Sequence, residues 1–324
     1  MTVFGLPNKN TSVYKKSMML YKSHPYFKLC GEYMYPKNAH YIWIGNKPLP
    51  QYAISNIIHF KANNPHYTVY LWTTNPHRMV NNIINSGYSS QFMNLINCRD
   101  LPEMTGYIRS AVEREMSDSP YHNYAAASDI LRLVVLEKFG GIYMDVDVMV
   151  SGSLGLISPE RVSSTGTSDI LIHQEVLSNQ TRLSNAVIVS QPRTNTLKKM
   201  INYAVTPYAK NHLYEMGFGR TAGKDLLRKA LKDLKDIPLR EIMWVGKRAV
   251  PSLRHQITIY LTGPGLMDAY LQSSGLSQRF QTTKILNEPA RFGQREDDFP
   301  GTWKRGMNGK GEWVVPARKF NSTI

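Results

Sequence analysis

The stretch that most constrains this 324-residue chain is Tyr124–Val150, which reads YAAASDILRLVVLEKFGGIYMDVDVMV. Apolar residues recur at helical spacing from Ile130 to Phe139. Gly140-Gly141 then predicts the end of the helix, since glycine adopts a left-handed conformation at no steric cost. An alternating apolar strand follows and contains Asp145-Val146-Asp147. The pattern predicts a helix, a glycine turn and a strand that presents two carboxylates.

The predicted helix carries one charged pair on an apolar background. Its start is predicted at Ser119-Pro120, a hydroxyl cap followed by a proline whose missing N–H costs nothing there. Asp129 and Arg132 are three residues apart and therefore share one face. One interpretation is a surface ion pair, which would stabilise the fold very little. Because the neighbouring residues are almost wholly apolar, we instead expect the pair to contact a ligand.

The two aspartates of the strand indicate a cation. In a regular strand over Ile142–Val150, the side chains of Tyr143, Asp145 and Asp147 project to one face. Two carboxylates on one side repel each other unless a cation or hydrogen-bond donors lie between them. Mg²⁺ and Mn²⁺ prefer such oxygen ligands and keep positions open for phosphate oxygens and water. The alternative is a solvated strand edge with incidental aspartates, which the apolar strand and the glycine pair disfavour.

The order of elements predicts an α/β fold. A strand over Tyr41–Ile44 ends at Gly45, a helix spans Gln51–Asn63, and a second strand spans Tyr67–Trp72. This βαβ order predicts a mostly parallel sheet flanked by helices, with a binding crevice at the strand ends. Met79–Asp118 is predicted to be helical, as an insertion over the sheet, and Ser151–Ser168 to be loop-rich. Further strands and helices are predicted at Ile170–Gln174, Leu183–Ser190, Thr196–Ala209, Ala222–Leu234, Gln256–Leu261 and Leu266–Gln272.

Composition sets limits on the class of protein. We expect one large domain over residues 38–324, an N-terminal cap or helical extension over residues 1–37, and a C-terminal lid from about residue 287. No apolar run is long enough to predict a transmembrane helix or the core of a signal peptide. The two cysteines, Cys30 and Cys98, lack metal-site spacing and are predicted to be reduced, which suits the cytosol. The net charge of +15 indicates affinity for anionic partners, but the spread of basic residues predicts no nucleic-acid binding.

Four segments together resemble a known family. AAASDILR is followed by GGIYMDVD, with an HYIWIG strand before them and LTGPG after them. This set resembles the catalytic domain of bacterial toxin glycosyltransferases. That group includes the large clostridial glucosylating toxins and the Photorhabdus PaTox type, which modifies tyrosine on Rho GTPases. The resemblance runs in order from Asn38 to Trp303, and it implies a GT-A fold, a UDP-sugar donor and retention of the donor's anomeric configuration.

The resemblance implies a role for each matched residue. Trp43 would stack on the uracil, with a core anchor as the alternative. Asp129 and Arg132 would hold the sugar hydroxyls, and Tyr143 would lie along the nucleotide. Asp145 would contact the ribose, the sugar or a metal-bound water, while Asp147 would ligate Mn²⁺ or Mg²⁺ directly. The remaining donor contacts would come from Ser128, Ser184, Asn185, Ala186 and Trp303.

Two further expectations follow from the resemblance. Asn185 would bind the donor sugar, and its small neighbours Ser184 and Ala186 leave space for an N-acetyl group, which favours UDP-GlcNAc over UDP-glucose. The C-terminal end would supply Trp303 and a third metal ligand, Asp298. Asp297 and Trp313 are the alternatives at that end.

The function implied is transfer of a sugar to a Tyr or Thr hydroxyl of a host protein, a Rho-type small GTPase. The enzyme would be secreted or injected by a bacterium and act in the host cytosol, with its basic N-terminal stretch touching an anionic membrane. No Glu or Asp is placed by the sequence as a covalent nucleophile, which favours front-face substitution. The alternatives are a transferase that builds a polysaccharide and a non-catalytic protein that docks a sugar nucleotide.

Overall fold

The computed structural model describes residues 35–116, 123–150, 152–154, 161–162, 166–167, 170–177, 180–210, 262–267 and 291–292. Most of the predicted N-terminal cap and C-terminal lid lies outside these residues, as do the predicted elements Ala222–Leu234 and Gln256–Leu261. Of the predicted helix Leu266–Gln272, the described part is helical, within a helical stretch over residues 264–267.

Within the described ranges, the strands form one large sheet and two short pairs. In chain order they are β1 Asn38–Trp43, β2 Thr68–Thr73, β3 Asn94–Asn97, β4 Gly141–Met144, β5 Val148–Met149, β6 Arg161–Val162, β7 Gly166–Thr167, β8 Ile170–Leu177, β9 Gln180–Ser190 and β10 Arg291–Phe292. The six-stranded sheet has the order β3-β2-β1-β4-β9-β8. Its first four strands run parallel, and β9 is antiparallel to both β4 and β8. The predicted mostly parallel α/β sheet is therefore confirmed.

Helices cover both faces of the sheet. They are α1 Gln51–Asn63, α2 Pro76–Asn85, α3 Gly106–Met116, α4 Tyr124–Phe139 and α5 Asn195–Lys210, with short 3₁₀ turns at Ser90–Phe92 and Cys98–Asp100. Helices α1 and α2 lie on one face, and α3, α4 and α5 pack on one another on the other face. Within the part of the chain that the structure describes, no helix is both long and apolar enough to cross a membrane.

The core is divided by the sheet into two layers. Along β1, Tyr41 and Trp43 point into the layer beneath α1 and α2, while Ile42 points into the layer beneath α3, α4 and α5. The strand is apolar on both faces because helices cover both of them, as parallel sheets require. This arrangement leaves the ends of the strands as the place where polar side chains can gather.

The glycine pair ends α4 and starts β4, as predicted. Gly140 has a φ of 60° and donates its N–H to the carbonyl of Leu136 at 2.8 Å. Gly141 has a φ of 98°, and a Cβ at that position would collide with the backbone carbonyl of Asn38 on β1. The two glycines thus let the helix stop and let β4 approach β1 closely.

The start of α4 corrects one prediction. The helix begins at Tyr124, and the side chain of Asn123 accepts a hydrogen bond from the Ala126 N–H at 3.2 Å. The predicted start at Ser119-Pro120 is therefore wrong for this helix, and those two residues lie outside the described ranges. Asparagine is as good a cap as serine, and here it is the residue next to the first helical turn.

The strand that carries the two aspartates is shorter than predicted. β4 ends at Met144, and residues 145–147 form a turn closed by the Val148 N–H, which donates to the Asp145 carbonyl at 3.0 Å. The prediction of one strand over Ile142–Val150 is wrong, and with it the expectation that strand alternation places both aspartates on one face. The strand ends because its neighbours stop pairing with it: β1 pairs only as far as Tyr143, and β9 only as far as Met144.

Two other predicted segments differ from the structure. Met79–Asp118 is not continuously helical, because it contains the edge strand β3 between α2 and α3. The sequence of β3, NLIN, is short, with two adjacent apolar residues between two asparagines, and its side chains are exposed or half-buried, so it lacks the alternation typical of a strand. The loop-rich segment Ser151–Ser168 contains the short antiparallel pair β6–β7.

Candidate active site

The polar residues gather where the order of the sheet reverses. β1 is flanked by β2 and β4, and these three strands are parallel, so their carboxyl ends meet at one edge. Gly45 follows β1, Thr74 follows β2, and Asp145 follows β4 at this edge. In open α/β sheets such a reversal opens a crevice that binds ligands.

Helix α4 places Asp129 and Arg132 at this edge as a buried pair. Asp129 Oδ1 lies 2.7 Å from Arg132 Nη2. The two residues are only 6% and 5% exposed, so the interpretation as a surface ion pair is wrong. Their shared helix face is confirmed, while contact with a ligand stays a prediction. Charges are rarely buried without a partner, and here each charge has one.

Arg132 joins three elements of the fold. Its Nη2 lies 3.3 Å from Asp145 Oδ1, and its Nη1 donates to the backbone carbonyl of Asn185 on β9. Its guanidinium carbon lies 4.5 Å from the centroid of the Tyr143 ring on β4. Within the described part of the chain, its buried Nε has no hydrogen-bond partner. The guanidinium is therefore held at a fixed place between two carboxylates and an aromatic face.

Asp129 is held by donors from two distant segments. Its Oδ1 accepts from Asn185 Nδ2 at 2.9 Å, and its Oδ2 accepts from Thr262 Oγ1 at 3.1 Å. Burial raises the pKa of Asp129 to about 7, although the charge of Arg132 acts to lower it. Burial acts to lower the pKa of Arg132, but Asp145, Tyr143 and Asp129 outweigh it and hold that pKa above its usual value. Arg132 thus stays charged.

The acidic turn, residues 145–147, presents two carboxylates in different surroundings. The Asp145 side chain is 27% exposed, and its Oδ1 accepts the Tyr143 hydroxyl at 2.6 Å. Asp147 is 4% exposed. Burial raises the pKa of Tyr143, so this hydroxyl keeps its proton and remains a donor. The turn therefore offers one carboxylate at the crevice and one beneath it.

These two carboxylates fit a hard divalent cation only in part. Among the described residues, no group of three His, Cys, Asp or Glu side chains could hold a metal ion. Two carboxylates in one turn are nevertheless the oxygen donors that Mg²⁺ and Mn²⁺ prefer. Such an ion commonly takes its other ligands from substrate phosphates and water, which two protein ligands permit.

The position of Trp43 bears on its predicted role. Trp43 is 4% exposed, lies in the core layer beneath α1, and donates its indole N–H to the Lys47 carbonyl at 2.9 Å. These contacts are those of a core anchor, and stacking on a base stays a prediction. Over the neighbouring Gly45, which has a φ of 102°, lies the ring of Tyr124, in the space that a Cβ would need.

The other predicted site residues lie on α4, on β9 or outside the described ranges. Ser128 is half-buried on α4 beside Asp129, and Asn185 is buried and bonded to it. Ala186 is buried in the core layer beneath α1 and α2, and its carbonyl accepts the Asp145 N–H at 2.9 Å. The backbone of Ser184 pairs with His173, while its side chain is not among those described. The residues that lie outside the described ranges are Asp297, Asp298, Trp303 and Trp313.

Thr262 contacts the site although the sequence predicts no role for it. Thr262 belongs to the LTGPG segment, yet nothing in that segment alone predicts a bond to a residue 133 positions earlier. The C-terminal part of the chain also reaches the site through β10, which pairs with β5 directly after the acidic turn. Both contacts bring later segments to the edge of the sheet that carries Asp129 and Asp145.

Comparison with known proteins identifies the central segment. Residues 50–177 match the model of a family described as "Glycosyltransferase sugar-binding region containing DXD motif". This segment includes Asp129 and Arg132, and its one Asp-x-Asp is Asp145-Val146-Asp147. The network around Arg132 is thus built mainly within the matched region, and Asn185 and Thr262 join it from outside.

Two relatives and one solved structure share parts of the chain. A protein named "Toxin" from Photorhabdus asymbiotica is 28% identical over 205 residues, which is 60% of this chain and 6% of the relative. "Subversion of eukaryotic traffic protein A" from Legionella pneumophila is 31% identical over 118 residues, which is 36% of this chain and 17% of the relative. The chain therefore spans only a small part of either relative. The structure of "PaToxG Glycosyltransferase" superposes with a TM-score of 0.50 at 19% identity, covering 82% of this chain and 80% of that one.

These matches confirm the resemblance to bacterial toxin glycosyltransferases. The match over residues 50–177 is to a glycosyltransferase family, the class of enzyme that the sequence predicts. The superposition confirms the fold predicted for it, the mostly parallel sheet flanked by helices.

Proposed function

We propose that this glycosyltransferase moves a sugar from a UDP-sugar to a hydroxyl group of a host protein, with retention of the anomeric configuration. The observation that carries the proposal is the buried Asp129–Arg132 pair, which meets the acidic turn at the sheet reversal. A site for a neutral ligand has no need of two carboxylates around one buried guanidinium, with a third carboxylate in the same turn. A sugar diphosphate offers both hydroxyls for the pair and negative charge for a cation.

The donor sugar would be held by the buried network. Asp129 would accept hydrogen bonds from sugar hydroxyls, and Arg132, whose Nε has no partner among the described residues, would donate one. Asn185 would contact the same sugar, since its side chain already bonds Asp129 at 2.9 Å. The fixed positions of these groups would orient the anomeric carbon before reaction.

Asp145 and Asp147 are the residues that would hold Mn²⁺ or Mg²⁺. Such an ion, when bound, neutralises the charge that develops on a departing diphosphate. Arg132 would add its own positive charge nearby, because its Nη2 lies 3.3 Å from Asp145. The Tyr143 hydroxyl would fix the orientation of the Asp145 carboxylate through its 2.6 Å hydrogen bond.

Retention would proceed by substitution on the front face of the sugar. A covalent route needs a carboxylate free to attack the anomeric carbon. Both oxygens of Asp129 are engaged, by Arg132 and Asn185 at Oδ1 and by Thr262 at Oδ2. This engagement favours a route in which the leaving phosphate helps to deprotonate the acceptor hydroxyl.

The preferred donor would be UDP-GlcNAc rather than UDP-glucose. The proposal depends on the small residues Ser184 and Ala186 on either side of Asn185. Comparing hydrolysis of the two donors by the purified chain tests it directly. A preference for UDP-glucose would contradict the proposal.

The acceptor would be a Tyr or Thr hydroxyl on a host Rho-type small GTPase. The likeness to a Photorhabdus toxin and a Legionella protein supports an enzyme that a bacterium delivers into the host cytosol. The basic N-terminal residues would contact an anionic membrane in the host cell.

The test is incubation of the purified chain with labelled UDP-GlcNAc, Mn²⁺ and a host-cell lysate. We expect a labelled protein band at the size of a small GTPase, and a mass increase of one sugar on that protein. Labelled glycan instead of protein would indicate a polysaccharide-building transferase. An absence of both transfer and hydrolysis would contradict the proposed function.

A further inference from the structure

Three hydrogen bonds hold the backbone of the acidic turn. The Asp145 N–H donates to the Ala186 carbonyl on β9 at 2.9 Å, and the Val148 N–H closes the turn on the Asp145 carbonyl at 3.0 Å. The third bond comes from a side chain: Asn56 Nδ2 on α1 donates to the Val146 carbonyl at 3.3 Å. That carbonyl belongs to the residue between the two aspartates.

Helix α1 also holds the chain after the turn. Asn64 is fully buried directly after α1, where its Nδ2 donates to the Gly152 carbonyl at 3.2 Å and its Oδ1 accepts the Leu154 N–H at 2.8 Å. Asn56, Phe60 and Asn64 are spaced by four residues, so they form one stripe along α1. Eight helical residues span about 12 Å, so the two amides clamp the chain between Val146 and Leu154 at points well apart.

The position of Asn56 is not explained by packing or by helix formation. Asn56 lies beside the buried α1 residues Ala53, Ile57 and Phe60, at a position where an apolar side chain would be expected. Asparagine is a poorer helix former than leucine, and burying its amide has a cost unless it is hydrogen-bonded. Asn64 is the C-cap of α1, so helix capping also explains its presence. Asn56 lies within α1, and its side chain donates to the turn.

We propose that Asn56 is a positioning residue that sets the relative orientation of the Asp145 and Asp147 carboxylates. The proposal depends on the proposed function, because it assumes that the turn binds a cation together with UDP. The amide fixes the Val146 peptide, and the direction of this peptide determines where the two aspartate side chains leave the backbone. Without the amide, both carboxylates remain but lose their fixed relative orientation, so the cation binds less tightly.

The experiment uses the full chain as wild type and as the variants Asn56→Ala and Asn56→Leu. Asn63→Ala is the matched control, since Asn63 is also an α1 asparagine, and among the described residues its side chain bonds to His59 at the surface, at 2.8 Å. Free Mn²⁺ is followed by electron paramagnetic resonance during titration of each protein with UDP present. Donor hydrolysis at saturating Mn²⁺ and thermal melting are measured on the same samples.

We expect both Asn56 variants to bind Mn²⁺ about tenfold more weakly, the lower end of what loss of a supporting hydrogen bond around a metal ligand usually causes. Hydrolysis at saturating Mn²⁺ should fall by much less, and the Asn63 variant should match wild type. Leucine keeps the number and branching of the side-chain heavy atoms of asparagine, so an Asn56→Leu variant with wild-type affinity for Mn²⁺ contradicts the proposal whatever the alanine variant does. If wild type itself fails to bind Mn²⁺ with UDP, it is the proposed function that fails.

Discussion

Replacing Arg132 by methionine should destabilise the protein strongly, and a second substitution should reverse most of the loss. Arg132 is a buried cation that neutralises Asp129 at 2.7 Å and Asp145 at 3.3 Å. Without Arg132, the buried Asp129 must remain an uncompensated charge or take up a proton, and loss of one partner of a buried ion pair costs about 3–5 kcal/mol in the free energy of unfolding. The Asn185 carbonyl also loses the donor that Arg132 provides.

The second substitution is Asp129→Asn, made in addition to Arg132→Met. It removes the charge of Asp129 and keeps an oxygen that can accept from Asn185, while the new amide can donate to the Thr262 hydroxyl oxygen. Asp145 is partly exposed and retains the Tyr143 hydroxyl. What remains is the unpaired Asn185 carbonyl, so we expect the double variant to lie within about 2 kcal/mol of wild type.

Urea unfolding of wild type, both single variants and the double variant measures this coupling. Donor hydrolysis, measured in parallel, should be lost in Arg132→Met and should stay lost in the double variant. Recovery of stability without recovery of activity would show that the buried charges serve ligand binding rather than stability. A double variant as unstable as Arg132→Met would refute the reasoning, and so would one that regains activity.

Two further predictions concern single residues. His40 is buried, its Nε2 pairs with the Gly140 carbonyl at 3.0 Å and its Nδ1 accepts from Trp72 at 3.2 Å, and burial lowers its pKa from 6.5 to about 4. As pH falls, His40 takes up a proton in the unfolded chain before it does so in the folded protein. Wild type should therefore lose about 3 kcal/mol more in its free energy of unfolding than His40→Gln between pH 6.5 and 4. Coincident pH profiles from urea unfolding would contradict this. Gly45→Ala forces a Cβ into the Tyr124 ring at a φ of 102° and should cost about 1–3 kcal/mol, whereas Gly152→Ala, with open space around it, should be neutral in thermal melting.

Local patterns in the sequence predict much of the fold. The helix over Gln51–Asn63 has the predicted bounds, because its apolar residues recur at helical spacing and polar residues lie around them. The stop at Gly140 follows from backbone chemistry that acts within a few residues. Asp129 and Arg132 stand out because charges are unusual in an apolar helix, and the structure buries them as a pair.

The differences arise where distant partners decide the structure. The alternation of residues 142–150 favours a longer strand, but β4 stops where β1 and β9 cease to pair with it. The edge strand β3 forms by pairing with β2, and its four-residue sequence without alternation carries no sign of that. The hydrogen bond from Thr262 to Asp129 and the bond from Asn56 to Val146 connect segments far apart in sequence, so no local pattern predicts either.

The central claim is that the acidic turn holds a cation against the diphosphate of a UDP-sugar. The direct measurement is the rate of UDP-GlcNAc hydrolysis by the purified chain with Mn²⁺, after treatment with a chelator, and in the double variant Asp145→Asn, Asp147→Asn. Loss of the cation should raise the barrier by about 3 kcal/mol or more, so both treatments should slow hydrolysis at least about a hundredfold. Added Mn²⁺ should restore the chelated wild type but not the variant. Hydrolysis that continues undiminished under either treatment would contradict the claim.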